Sequence, residues 1–374
     1  MSSALLPQAL DALILCRVID NFGDVGVCWR LARQMATRGL RVALVLDDAT
    51  PLRWMRGVDA TSQSVSVLPW TLPDSAWTAL GGQVQRLVIE GFGCTAPNAL
   101  LAALPRPTPE TPATTLLVNL EYLSAEGYVA RSHGLASPQH HGAAAGLTRW
   151  FFYPGFTEDT GGLLGGWAAP EPPHSPPQAL WFAYPHPRWR DWAQHLARFV
   201  RESASDPIDR VEIGLCPGDA QRQAKLSPGE QLTLPDSHSV LRALDYTDHD
   251  GFDTRLAASA ISVVRGEDSF VRAQWAARPF VWHIYPQDDG AHWAKLDAWL
   301  DLLLDGQSNA LAQPLRRVWH AFNDPGWAGD LPPWPDAALW HAACRAWQQR
   351  LADQTDLLTR LLAFAQTRRS TGQP

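Results

Sequence analysis

The sequence predicts a two-domain α/β protein, each domain a doubly wound sheet of mostly parallel strands. Three observations predict it. Short continuous apolar runs alternate with helix-period segments, the pattern of parallel strands buried on both faces. A strand, glycine turn and helix follow one another at Cys16-Arg17-Val18-Ile19-Asp20-Asn21-Phe22-Gly23-Asp24, and the layout recurs at Arg265-Gly266-Glu267-Asp268-Ser269. At 374 residues the chain exceeds one ordinary core, so two domains are expected.

Taken in order, residues 12–16 read as a buried strand. Val27, Leu31 and Met35 then recur at helical spacing, and Gly39 ends that helix. Residues 42–46, 65–68, 86–90 and 116–119 read as further strands, and the first of these is followed by Asp47-Asp48. Glu90-Gly91-Phe92-Gly93 and Glu121-Tyr122-Leu123-Ser124-Ala125-Glu126 are turns at strand ends. Residues 132–146, with His133, His140 and His141, have no period and read as a surface loop. Residues 161–177, rich in Gly and then Pro, read as a linker. Beyond it, 179–184, 211–216, 241–244, 260–264 and 279–284 read as strands, and 189–202 and 252–258 as helices. Ser269 is expected to cap a helix over 270–277. From residue 291 the chain is helical, broken at 325–335, with one long last helix over 337–367.

Composition narrows the function. Hydrophobic residues make up 46% and charged residues 18%, a globular balance. A net charge of −7 argues against a general nucleic-acid or anionic-membrane binder. The five cysteines are scattered and form no C-x-x-C, which argues against structural zinc or a disulfide framework and fits a reducing compartment. No signal-like start occurs, nor any apolar run of about 18 residues. A cytoplasmic protein with no membrane and no direct nucleic-acid partner is expected. The 18 tryptophans are expected mainly in cores, with stacking on a sugar, base or guanidinium as the alternative.

The two turns carry the chemistry. A glycine turn opening a helix offers N–H groups to phosphate. Around Gly266, the acids Glu267 and Asp268 suit hydroxyls, leaving amides and Ser269 for a diphosphate. At the first turn, Asp20 and Asp24 suit a guanidinium, which carboxylates bind by paired, charge-assisted hydrogen bonds. Two other readings stand beside these. An ordinary capped helix start gives either pattern. Dinucleotide binding fits Asp47, about 20 residues past Gly26, but G-x-G-x-x-G is absent.

These stretches, together with Glu121-Tyr122-Leu123-Ser124-Ala125-Glu126, Arg265 to Gln274 and Trp282-His283-Ile284-Tyr285-Pro286-Gln287-Asp288, resemble the protein-arginine rhamnosyltransferases that modify elongation factor P, the EarP family. The resemblance runs from about residue 12 to about residue 297. It implies a GT-B glycosyltransferase fold of two Rossmann-like domains facing a cleft. The implied division is an acceptor-side domain over 1–165, a linker over 166–178, a nucleotide-sugar domain over 179–336, and a C-terminal helix over 337–374 returning to the first domain. It implies an inverting transfer of rhamnose from dTDP-β-L-rhamnose to one arginine of elongation factor P, without metal or other cofactor.

Position by position, Asp24 matches the family's general base and Asp20 a second essential acid. Glu267 matches the catalytic glutamate. Asp268 and Ser269 match diphosphate contacts, and Asn21, Phe22 and Gly23 the loop near rhamnose. Tyr184 and Phe252 match the base pocket. Arg265, Gly266 and the amides beside them, with Arg272 as an alternative cation, would neutralise the leaving group. The chain departs from the family around residues 245–251, where Pro and Gln are usual and Asp-Tyr-Thr-Asp-His-Asp-Gly stands here. The alternatives are a GT-B enzyme with another nucleotide sugar or acceptor, a non-catalytic nucleotide-binding module, and an NAD-dependent enzyme.

Overall fold

The computed structural model describes residues 6–7, 9–18, 23–108, 115–165 and 178–371. The expected linker over 166–178 lies, but for its last residue, outside them. The chain divides into two compact units, residues 1–166 with 354–374, and residues 167–353.

The first unit holds β1 (Leu10–Cys16), β2 (Val42–Leu46), β3 (Ser66–Pro69), β4 (Val84–Gly91), β5 (Leu116–Leu120), β6 (Ala136–Pro138) and β7 (Thr148–Phe152), in the order β3-β2-β1-β4-β5-β7-β6. All neighbours are parallel except β6, which runs antiparallel to β7 at the edge. Every residue of β1, β2 and β5 is buried. Alternation splits β1 between two cores. Ala12, Ile14 and Cys16 meet Val25, Trp29 and Leu31 of the helix Gly23–Thr37, while Leu13 and Leu15 face Trp77, Leu80 and Leu100.

The second unit holds β8 (Ala179–Trp181), β9 (Val211–Leu215), β10 (Gln231–Thr233), β11 (Ser239–Ala243), β12 (Ile261–Arg265) and β13 (Phe280–His283), in the order β10-β11-β9-β8-β12-β13. Apart from β10, antiparallel to β11, its strands are parallel. In both units the strand order reverses beside the first strand, between β1 and β4 and between β8 and β12. Ligands of doubly wound sheets bind outside the carboxyl ends of the strands at such a reversal. The helix opened by Gly23 and Asp24 follows β1, and the turn at Gly266 follows β12.

Two elements differ from the sequence reading. The segment 132–146 carries β6 and a short 3-10 turn, Gly142–Ala144. An edge strand this short, ended by Pro138, has no period to detect. The long last helix is two, Ala337–Ala352 and Leu357–Thr371. Asp356 starts the second by accepting from Thr359 N at 3.0 Å and Thr359 Oγ1 at 2.6 Å, the action of an N-cap. Arg360 then donates to the carbonyls of Thr157, Glu158 and Thr160, fixing that helix to the first unit. Leu357, Leu358 and Leu361 complete the core around the helix Gly23–Thr37.

The tryptophans are largely structural. Trp29, Trp192, Trp299, Trp319 and Trp340 are almost wholly buried. The indoles of Trp299 and Trp347 both donate to Gln274 Oε1, at 3.1 and 2.8 Å.

Two buried histidines make the second unit acid-sensitive. Burial pushes His195 down to about 4 and His283 to about 3. Unfolded imidazoles take up a proton near 6.5. Below that pH the unfolded chain therefore binds more protons than the folded one, and stability falls until the folded groups titrate. The urea midpoint is expected to be highest above pH 6.5 and to drop steadily toward pH 4. His195→Gln should shallow that decline, and an unchanged pH slope would remove His195 from the cause.

Candidate functional site

In the second unit, the candidate residues gather at the carboxyl ends of β8 and β12. Arg265 closes β12, and Gly266 turns the chain with φ +62°. Glu267, half-buried, is the N-cap of the helix Asp268–Trp275 and makes no side-chain cap hydrogen bond. Ser269 is therefore inside the helix rather than capping it. Its hydroxyl turns back to its own strand, donating to Arg265 O and accepting from Arg265 N at 3.2 Å. Trp282 Nε1 donates to Gly266 O at 2.9 Å, and its ring stacks on Phe270 at 3.9 Å, so β13 fixes the turn from the side.

Arg265 is 6% exposed, and its guanidinium lies 4.8 Å from the Phe182 ring centroid and 4.7 Å from that of Tyr184. It pairs with Asp219, the first residue of the helix Asp219–Ala224, and Arg222 pairs with the same carboxylate. Two guanidiniums on one carboxylate give this three-residue group a net positive charge, next to the acids Glu267 and Asp268. Phe252 meets Phe182 edge-on at 5.6 Å, and Tyr184 meets Tyr285 at 5.5 Å. Arg272 is held by Asp253 through both Nε and Nη2, at 2.8–3.2 Å, with both side chains buried. This pair ties the helix Asp268–Trp275 to the helix His249–Ala258. His249 Nε2 lies 4.0 Å from Asp268 Oδ2.

The structure thus brings together Tyr184, Phe252, Arg265, Gly266, Glu267, Asp268 and Ser269. Sequence reasoning missed Asp219, Asp253 and His249. Asp219 had a signal: Cys216-Pro217-Gly218-Asp219 is a third strand, glycine and acid, with Gly218 at φ +105°.

In the first unit, Gly23 and Asp24 open the helix that follows β1, and Asp24 is 3% exposed. Asp20, Asn21 and Phe22 lie outside the described residues. One turn on, Cys28 is held as a neutral thiol, its titration raised by its hydrogen bond with Cys16, by burial, and by nearby Cys94 and Asp24. Gly91, closing β4, leaves room for that helix: a Cβ there would come 3.1 Å from Cys28 Sγ and 3.2 Å from Leu15 O. Asp47 Oδ1 accepts from Val18 N at 3.0 Å and Asp48 N at 2.9 Å, clasping the ends of β1 and β2.

Among the described residues, no three His, Cys, Asp or Glu side chains are grouped to hold a metal ion, and no helix is long and apolar enough to cross a membrane.

Comparison with known proteins gives a consistent result. The family described as elongation factor P (EF-P) rhamnosyltransferase EarP matches residues 12–168 and 168–366. A protein-arginine rhamnosyltransferase of Pseudomonas putida is 38% identical over 386 residues, covering 94% of this chain and 97% of its own length. The Pseudomonas aeruginosa protein of the same name is 33% identical, with 94% and 97% covered. A solved structure concerned with EarP-mediated arginine glycosylation of EF-P superimposes with TM-score 0.56 at 24% identity, covering 95% of this chain and 98% of that one. The kitacinnamycin glycotransferase superimposes with TM-score 0.50 at 12% identity, covering 97% and 100%. At these identities the superpositions speak for the fold, which is GT-B with two Rossmann-like domains.

Proposed function

This chain belongs to the EarP family of elongation factor P rhamnosyltransferases, and from that membership we infer an enzyme that transfers rhamnose to an arginine of elongation factor P, with dTDP-β-L-rhamnose as donor. The observation that carries this reading is the reach of the family match, which takes in both glycine-acid turns. The donor's diphosphate is assigned to the start of the helix Asp268–Trp275, where the helix dipole and the Arg265–Asp219–Arg222 group supply positive charge. Tyr184 and Phe252 are assigned to the thymine, and Glu267 to sugar hydroxyls or to the positive charge that develops on the sugar. Asn21, Phe22 and Gly23 are assigned to the rhamnose.

Arginine stays protonated at ordinary pH, and its delocalised guanidinium is a poor nucleophile. A carboxylate cannot deprotonate it in advance. Asp20 and Asp24 instead hold and polarise it. As Nη attacks the anomeric carbon from the face opposite the diphosphate, the C–N bond forms and the C–O bond to phosphate breaks. Asp24 accepts the guanidinium proton during that step, and dTDP leaves. Amides, the helix dipole and Arg265 meet the leaving group's charge, so the proposed reaction uses no metal. The cytoplasm is the proposed location.

The test is the intact mass of elongation factor P after incubation with this protein and dTDP-rhamnose, with chelator present. A gain of one deoxyhexose on an arginine is expected. Donor binding without a gain would favour a different acceptor or a binding module. Neither binding nor gain would overturn the donor and acceptor together.

A further inference from the structure

Glu90 and Glu121 stand at the carboxyl ends of adjacent strands, yet they are treated differently. Glu90, 1% exposed, is gripped by Arg149 at 2.6 and 3.1 Å and accepts from Ala96 N at 2.7 Å. Glu121 is half-buried, and no described Lys, Arg or His pairs with it. Its described side-chain partner is Asn119 Nδ2, at 2.6 Å. Burial consequently raises its carboxyl above the ordinary range. Asn119 Oδ1 is buried and has no hydrogen-bond partner among the described residues. A buried amide oxygen without a donor thus stands beside a carboxylate without a described counter-charge, which calls for an explanation.

The surroundings are aromatic. Tyr122, 37% exposed, stacks on Phe92 at 4.8 Å. Phe92 holds a left-handed conformation, φ +56°, fixed by its N–H donating to Leu120 O at 2.8 Å. Tyr153 lies close enough that Glu121 adds to the effect of burial in raising its phenol. Tyr128, 41% exposed, meets Tyr153 edge-on at 6.0 Å. An uncompensated carboxylate, a free amide oxygen and exposed ring faces suit a guanidinium or ammonium. A neutral sugar would leave the charge of Glu121 unmet.

Position supports the same ligand. Only β4 separates β5 from β1, the strand that precedes the helix opened by Asp24, so at about 4.8 Å per strand the two strand ends are roughly 10 Å apart. We propose that Glu121, with Asn119 and the rings of Tyr122 and Tyr153, forms a cation subsite on the first unit that takes a basic side chain of the acceptor protein. This rests on the proposed arginine-transfer function.

The test compares the full chain with Glu121→Gln and Tyr122→Leu. Rhamnosylation is followed by intact mass, varying elongation factor P at saturating dTDP-rhamnose and then the reverse. Glu121→Gln keeps the acceptor for Asn119 Nδ2 but loses the charge. The expected result is a fall in kcat/KM for the acceptor of roughly 10- to 100-fold, an unchanged donor KM, and a weaker salt dependence. Tyr122→Leu should lower the same parameter several-fold. Calorimetry with an acceptor whose target arginine is alanine separates two sources of the cation. Weaker binding to Glu121→Gln than to wild type identifies a second basic residue of the acceptor, and equal binding identifies the target arginine itself. An acceptor kcat/KM within about two-fold of wild type, or a donor KM that rises in step, would overturn the subsite alone. A wild-type protein that neither binds nor modifies elongation factor P would overturn the function and the subsite with it.

Discussion

Asp24→Asn is expected to cut rhamnosyl transfer by about 10²- to 10⁴-fold, the range for a group that moves a proton in the transition state. Donor binding should be nearly unchanged, because the residues assigned to the donor's nucleotide lie in the other unit. The substitution is close to isosteric at a site only 3% exposed, so the helix Gly23–Thr37 should persist. What is lost is the negative charge that holds a guanidinium and the oxygen that takes its proton. The checks are single-turnover transfer at saturating donor, dTDP affinity by calorimetry, and helical content by circular dichroism. A rate within a few-fold of wild type would remove Asp24 from proton transfer. Lost dTDP affinity would instead point to a wider disturbance.

The fold was legible where a single physical signal sufficed. β1, β2 and β5 are continuous apolar runs, and burial on both faces of a parallel sheet demands just that. The second glycine-acid turn was legible because the chain reverses after β12 through Gly266 at φ +62°, a conformation that favours glycine. Elements set by a distant partner were not legible. Asp219 and Arg265 are 46 residues apart and meet because β9 and β12 flank β8. The break between the last two helices depends on one aspartate, Asp356, whose local pattern also suits a helix interior. Ser269 looked like a cap because serine favours caps, but its hydroxyl found the carbonyl of Arg265 one turn back. Glu121 could be read as part of a family pattern, whereas its lack of a counter-charge needed three dimensions.

Arg265→Ala should cost more than any other change in the second unit. The side chain does three things at once. It neutralises Asp219, covers the faces of Phe182 and Tyr184, and carries the buried positive charge nearest the turn assigned to the diphosphate. Removing it leaves the Asp219 carboxylate, 16% exposed, with only the outward-lying Arg222. Breaking a buried pair from one side typically costs about 3–5 kcal/mol, and the partial exposure of Asp219 places this case toward the lower end. Loss of charge stabilisation at a leaving group typically costs about 10²- to 10³-fold in rate. The double variant Arg265→Ala with Asp219→Asn separates the two effects. It removes the stranded carboxylate and should recover much of the stability, measured as the urea midpoint. It cannot restore the charge, so dTDP affinity and turnover should stay low. Arg265→Lys keeps a charge but not the planar group that spans the carboxylate and both rings, so it should fall between. If the double variant regained turnover along with stability, Arg265 would be a support for the fold and not a contact for the leaving group.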